Sequence, residues 1–396
     1  MRATISHGFS IWLDALRAGA ALAVLLGHFA HTRFTRGDYE ILREANIAAD
    51  AVVVFFVISG LVIAYAAGRD GSLAQFAFNR MTRLLTVVFP ALVLTLVFDA
   101  AGNGADPSAY AAPYYQDVDP AKLFLRGLSF TNEWTGVFER VRLGSNGPLW
   151  SLSYEAAYYV MFAIAIFLRG PVRIVLTALL AYLVGLPVLV LLPVWAMGVL
   201  VWHLIRKPGR NAIGGGSAWL LTLTCPLILL VCKALGVDTF LSSLTAQAFA
   251  PVSHHAVLLY SDEVAWSLVI AVFFALHLQG MARLLQSADW RADSPPVRLV
   301  RFVAGASFSI YVVHYPTLHL LDATLPETLP GYDLVLLGLT LFVCFVFAAF
   351  FERPLGFYRR QIRELAKIAR PQQVAVEALS DESWFRRAGW FRSFRQ

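Results

Sequence analysis

Residues 13 to 28 read LDALRAGAALAVLLGH, an apolar run that carries an acid, a base and an imidazole: Asp14, Arg17 and His28. Insertion of an ionisable side chain into hydrocarbon costs roughly 2.5–3.5 kcal/mol, so such groups point to chemistry when they occur in a membrane segment. Arg17 and His28 stand eleven positions apart, which on a helix is three turns plus about 20° and roughly 16 Å of rise. Both therefore project from one face. Asp14, three residues before Arg17, is placed to pair with it. The pattern is an anion-binding group at one end of a helix and an acid–base group at the other. An imidazole titrates near pH 6.5, which suits taking and returning a proton near neutrality.

Other polar residues recur at helical spacing. FNRMTRLLTVVFP sets Arg80 and Arg83 at i and i+3; two guanidiniums on one face suit a phosphate, although positive-inside topology would place them there as well. In NGPLWSLSYEAAYYV, Ser151 and Glu155 are i and i+4, and Tyr158 and Tyr159 follow on the next turn. A carboxylate that deep in a span needs a polar partner or a substrate. Ser59-Gly60, in VVVFFVISGLVIAYA, permits close helix approach. ASFSIYVVHYP contributes Ser307, Ser309, Tyr311 and His314, the last placed either to shape a kink or to join a site, and FFERP ends on Glu352 and Arg353. His203, His277 and His319 read as structural. His254-His255 carries no metal spacing, and no metal site is read from the sequence.

The elements that hold these residues follow from composition. Of 396 residues, 58% are hydrophobic and only 15% charged, too little charge to cover a soluble protein of this length. Apolar stretches of bilayer-spanning length predict an all-α, polytopic transmembrane bundle of about ten spans, at 11–30, 48–67, 84–101, 149–168, 172–186, 190–205, 217–236, 263–281, 302–321 and 333–352. Lys and Arg gather in the segments on the N-terminal side, which puts both termini in the cytoplasm. The net charge of +6 then reflects topology and anionic lipid and needs no nucleic acid. Residues 1–356 read as the membrane domain and 357–396 as a basic, aromatic cytoplasmic tail ending in WFRRAGWFRSFR, which suits a membrane interface and equally a plain disordered tail. Cys225, Cys232 and Cys344 fall in apolar spans and form no disulfide framework.

LDALRAGAALAVLLGH, FFVISGLVI, NRMTRLL…P, PLWSLSYEAAYY, SFSIYVVHYP and FERP occur in the order seen in the acyltransferase 3 family, which residues 8–356 resemble. The most specific element is an arginine followed after ten residues by a histidine, met by Arg17 and His28. The resemblance implies an integral membrane enzyme of the bacterial inner membrane that moves an acyl group, often acetyl, from cytoplasmic acyl-CoA, with no bound cofactor. Its implied acceptor is a hydroxyl of an extracytoplasmic saccharide or glycolipid. It further implies that His28 is essential, that Arg17, Arg80 and Arg83 serve the acyl-CoA, and that Glu155 fills the family's acidic position. The sequence departs from the family at Ala15, where glycine is common, at the valines before Phe55-Phe56, where Asp is frequent and only Asp50 lies upstream, and at Ala156, where a second acid often stands.

Together these predict that Arg80, Arg83 and Arg17 hold coenzyme A phosphates, with Asp14 fixing Arg17. His28 acts as general base, and Glu155 either holds the acceptor or raises the basicity of His28. Ser59, Ser151, Tyr158, His314, Glu352 and Arg353 are acceptor-binding or structural. An acyl-histidine relay is the covalent variant. The rival is a proton-coupled transporter with His28, Glu155 and His314 as a relay, but no repeated halves of the transporter kind appear.

Overall fold

The computed structural model describes residues 5–206, 213–288, 290–326 and 328–369. Among them there is helix and no strand. The principal helices are α1 (His7–Phe29), α2 (Ile47–Asp70), α3 (Leu73–Ala105), α4 (Trp150–Phe167), α5 (Gly170–Val184), α6 (Leu192–Ile205), α7 (Gly215–Ala234), α8 (Val264–Leu284), α9 (Pro295–Ala304), α10 (Ser307–Thr324) and α11 (Tyr332–Phe351). Among the described residues, eight helical stretches are long and apolar enough to cross a membrane, or nine if the bent pair α9–α10 is one span.

Three expected spans take a different form. The third runs the length of α3, well beyond 84–101, with Pro90 inside it. The fifth is α5, whose 15 residues reach about 22 Å, short of a hydrocarbon core of roughly 30 Å. The ninth is broken at Gly305-Ala306, where α9 and α10 meet at 55°. The chain divides into two compact units, Met1–Arg353 and Pro354–Gln396. In the second, Leu355–Ala369 is an amphipathic helix, and the WFRRAGWFRSFR run lies outside the described residues.

Local sequence explains the element ends. Ser6 caps α1 by accepting the Phe9 N–H. Gly71, at φ 72°, closes α2, and Ser72 opens α3 by accepting the Gln75 N–H. That two-residue turn folds α3 back beside α2 and brings Arg80 to Asp70, 3.9 Å apart.

Backbones approach most closely where glycines replace side chains. A Cβ on Gly60 of α2 would lie 2.1 Å from the Trp195 carbonyl oxygen of α6, and one on Gly198 would lie 1.8 Å from that of Val57. The small residue at 60 therefore does seat a neighbouring helix, as its position beside Ser59 predicts. Asp50, near the start of α2, pairs with Lys233 of α7 and accepts the Trp266 indole N–H of α8 at 3.0 Å. This ties the largely exposed α7 to the bundle.

The break before α10 is secured from α11. A helix start leaves backbone N–H groups without partners, and hydrocarbon offers none. Glu352 accepts the Phe308 N–H at 3.2 Å, the Ser309 N–H at 2.8 Å and the Ser309 hydroxyl at 2.8 Å. Arg353 donates to the Phe302 carbonyl at the end of α9, 3.1 Å away, and lies over the Phe302 ring. Each charge opposes the dipole of the helix end it meets. The side chains of Glu352 and Arg353 are both engaged at this break, one at the start of α10 and the other at the end of α9.

Gly198→Val should force α2 and α6 apart and lower stability by about 2 kcal/mol or more, read as a lower thermal midpoint in detergent. Gly19→Ala, whose Cβ meets nothing within 4 Å, should leave that midpoint unchanged.

Candidate active site

A cavity of about 120 Å³ opens between α1, α2, α3, α4 and α10. Arg17, Arg80 and Arg83 line it, together with Ser59, Ser151, Glu155, Tyr159, Ser307 and Tyr311. Residues spread over some 290 positions of sequence thus share one chamber. Its arginines come from the N-terminal half of α1 and the N-terminal half of α3, so they occupy the same end of the bundle.

The three guanidiniums are held differently. Arg17 donates to the Ser307 hydroxyl at 3.1 Å and faces Asp14 at 3.6 Å, the i, i+3 pairing its spacing predicts. Arg80 is turned towards Asp70, and its Nε–H, buried, meets no acceptor. Arg83 has no hydrogen-bonded or ion-paired partner among the described residues. Like charges collected in one partly buried chamber repel each other, and an anion carrying several oxygens would relieve that repulsion.

Glu155 faces these arginines across the chamber. Its Oε1 accepts from the Ser59 hydroxyl and from the Tyr159 hydroxyl at 2.5 Å. The Trp195 indole N–H donates to the Ser59 oxygen at 3.2 Å. Glu155 has found polar partners at i+4 and on α2, and it makes no contact with His28. Tyr158 donates to the Val188 carbonyl at 2.7 Å, is fully buried and does not line the chamber.

Beyond the chamber, towards the C-terminal end of α1, lies the histidine pair. His28 Nδ1 is 2.8 Å from His314 Nε2, with ring planes inclined by 18°. His314 Nδ1 is 2.8 Å from the Ile310 carbonyl oxygen, one turn back on α10. A carbonyl can only accept, so the His314 proton sits on Nδ1 and Nε2 carries the lone pair. That lone pair accepts the His28 Nδ1–H, and His28 Nε2 is left as the basic nitrogen. His314 is completely buried, so this neutral chain of hydrogen bonds orders the tautomer of both rings. The structure brings His314 beside His28.

Tyr311 stands between chamber and histidines. Its hydroxyl is 2.6 Å from that of Ser151 and donates to the Pro148 carbonyl at 2.9 Å. Its ring centroid is 6.4 Å from that of His314. Ser151, i−4 to Glu155, thereby reaches α10 and does not bond Glu155.

The outer rim adds groups the sequence does not mark. Tyr315 packs edge-on against His28 at 4.9 Å, and the Arg142 guanidinium lies over the Tyr315 ring at 6.0 Å. His31 accepts the Arg33 backbone N–H on Nδ1, so Nε2–H donates to the Tyr114 oxygen at 3.0 Å. Burial, with Arg43 and Arg33 nearby, lowers its pKa to about 4. Glu133 and Arg140 form a pair at 2.7 Å in the loop before α4. Burial pushes the Glu133 carboxyl up to about 7 against the pull of Arg140.

The hydrogen-bond chain predicts that both rings carry their proton on Nδ1 near neutral pH. Nitrogen-15 shifts of histidine-labelled protein, assigned with His28→Gln and His314→Gln, check this. A protonated Nε2 on His28 would contradict the assignment.

A family model described as an acyltransferase domain matches residues 10–349. Among curated proteins, the chain is 30% identical over 155 residues to acyltransferase MdmB of Streptomyces mycarofaciens, covering 38% of this chain and 37% of that protein. It is 25% identical over 154 residues to an O-acetyl transferase of Shigella phage Sf6, covering 39% and 45%. The matched stretch spans less than half the length of either relative. No solved structure matches the chain.

Proposed function

The chain belongs to the acyltransferase 3 family, and from that premise we propose that it transfers an acyl group, acetyl in the simplest case, from cytoplasmic acyl-CoA to a hydroxyl of an extracytoplasmic or lipid-linked saccharide. The carrying observation is the convergence of Arg17, Arg80 and Arg83 on one cavity whose far end abuts Tyr311, with the His28–His314 pair beyond. The names of the two relatives support the class of reaction, and eight helices of bilayer-spanning length support a membrane setting, which we assign to a bacterial inner membrane. With both termini in the cytoplasm, the arginines face the compartment that holds acyl-CoA.

In this mechanism the guanidiniums of Arg80 and Arg83, with Arg17, grip the phosphates of the donor. The acyl-pantetheine arm runs through the chamber, past Tyr311, towards His28. His28 Nε2 takes the proton of the acceptor hydroxyl as its oxygen attacks the thioester carbonyl. The tetrahedral intermediate collapses, the carbon–sulfur bond breaks, and the imidazolium returns the proton to the departing thiolate. His314 holds the His28 ring and stabilises its positive charge, the part an orienting group plays for any general-base histidine. Asp14 fixes Arg17. Glu155 balances the positive chamber and positions Ser59 and Tyr159, a role closer to the donor than to the acceptor.

The test uses membrane vesicles with labelled acetyl-CoA on the cytoplasmic face, following label into acetate, protein and glycan. His28→Ala should lower turnover at least about 10²-fold at equal protein level. Equal turnover would remove His28 from the mechanism, and label retained on the wild-type protein would replace direct transfer by an acyl-histidine relay. His314→Ala should lower kcat more than it changes KM. His314→Gln, whose amide oxygen can accept the His28 Nδ1–H, should retain more activity than His314→Ala.

A further inference from the structure

Residues 250–263 connect the helix Val237–Phe249 to α8. Their sequence, APVSHHAVLLYSDE, holds two adjacent histidines and an aspartate eight residues after the first. In linear spacing this resembles no metal motif. Folding changes that, because a short helix (His254–Leu258) and a turn (Leu259–Ser261) reverse the chain and return Asp262 to the histidines.

One ligand-capable atom from each of His254, His255 and Asp262 lies within 4.8 Å of the other two. His255 Nδ1 bonds Asp262 Oδ2 directly, and Asp262 Oδ1 accepts the Glu263 backbone N–H at 3.1 Å, which fixes the carboxylate. The two imidazoles are 3.9 Å apart between centroids. A second observation is independent of this clustering. His254 is only 9% exposed, and its buried Nε2 meets no hydrogen-bond partner. A buried polar atom without a partner calls for a water or an ion.

We propose that His254, His255 and Asp262 form a binding site for a divalent transition metal, with Zn²⁺ the ion that best suits two imidazoles and one carboxylate. Zinc takes nitrogen ligands at about 2.0–2.1 Å and carboxylate oxygen at about 2.0–2.2 Å. His255, whose side chain is 66% exposed, has the freedom to close the remaining gap. Three protein ligands leave at least one position for water.

The site would act as a clasp. Its ligands come from the two ends of a nine-residue turn, and Tyr260 is carried between them. The Tyr260 ring stacks on Trp150 at 4.4 Å and 10°, with the Arg140 guanidinium over the same ring at 4.6 Å, while Ser261 donates to the Pro187 carbonyl at 2.7 Å. Trp150 is the first residue of α4, the helix that carries Ser151 and Glu155. A bound ion would therefore stiffen the outer support of α4 without touching the chamber.

The experiment is a Zn²⁺ titration of the full chain, purified without a histidine tag, stripped with chelator and held in detergent or nanodiscs. The wild type should bind one equivalent saturably, and its thermal midpoint should rise with Zn²⁺. His255→Ala and Asp262→Ala should each weaken binding at least tenfold and abolish the Zn²⁺-dependent rise, while their metal-free midpoints match that of the metal-free wild type. Absence of saturable binding, or equal binding by wild type and both variants, would overturn the proposal.

Discussion

Polar backbone exposed by a break in a membrane helix has to be satisfied from within the protein. Much of the site depends on how this is done between α9 and α10. The 55° break frees the first N–H groups of α10, and one carboxylate, Glu352, takes two of them together with the Ser309 hydroxyl. From the helix so anchored come Ser307, which receives Arg17, Tyr311, which bounds the chamber, and His314, which orients His28. These lie one, five and eight residues into the region that Glu352 secures. A rotation of α10 about its axis would misplace all three at once.

The chamber and the histidine pair differ in electrostatic character. Charge is concentrated at the chamber, which Arg17, Arg80, Arg83 and Glu155 line while Asp14 and Asp70 stand beside Arg17 and Arg80. The pair is neutral, and its hydrogen bonds end on a backbone carbonyl that cannot give up a proton. In the proposed reaction the anionic portion of one substrate binds where charge is plentiful, and proton transfer takes place where charge is scarce. Low dielectric strengthens each hydrogen bond in the second region.

Much of this was legible from helical spacing. Asp14 with Arg17, the shared face of Arg17 and His28, Arg80 with Arg83, and the close approach at Gly60 are all local properties of one helix. The long-range pairings were not. His28 and His314 are separated by 286 residues, and nothing in SIYVVHYP says which helix it will face. Glu155 illustrates the same limit: its i+4 partner Tyr159 follows from spacing, whereas its partner Ser59 depends on how α2 packs. Tyr158 adjoins Tyr159 in sequence, yet a rotation of about 100° about the helix takes its hydroxyl away from the chamber to the Val188 carbonyl. The break at Gly305-Ala306 leaves no mark in the sequence, because its flanks remain apolar and hydropathy does not register a change of direction. Asp262 joined the adjacent histidines only through a reversal of the chain.

The hydroxyl of Tyr311, held between Ser151 and the Pro148 carbonyl, has a consequence for the membrane as a barrier. A polar chamber reaching in from one face and imidazoles beyond it towards the other would, if joined by water, form a wire along which protons could cross the bilayer. In the proposed reaction the phenol, its hydrogen bonds already satisfied, would stand between the two. A molecule that slips past it must fill the gap it opens, and in the proposed reaction the acyl arm would be that stopper. Such an enzyme could work across a charged membrane without draining the gradient on which its cell depends.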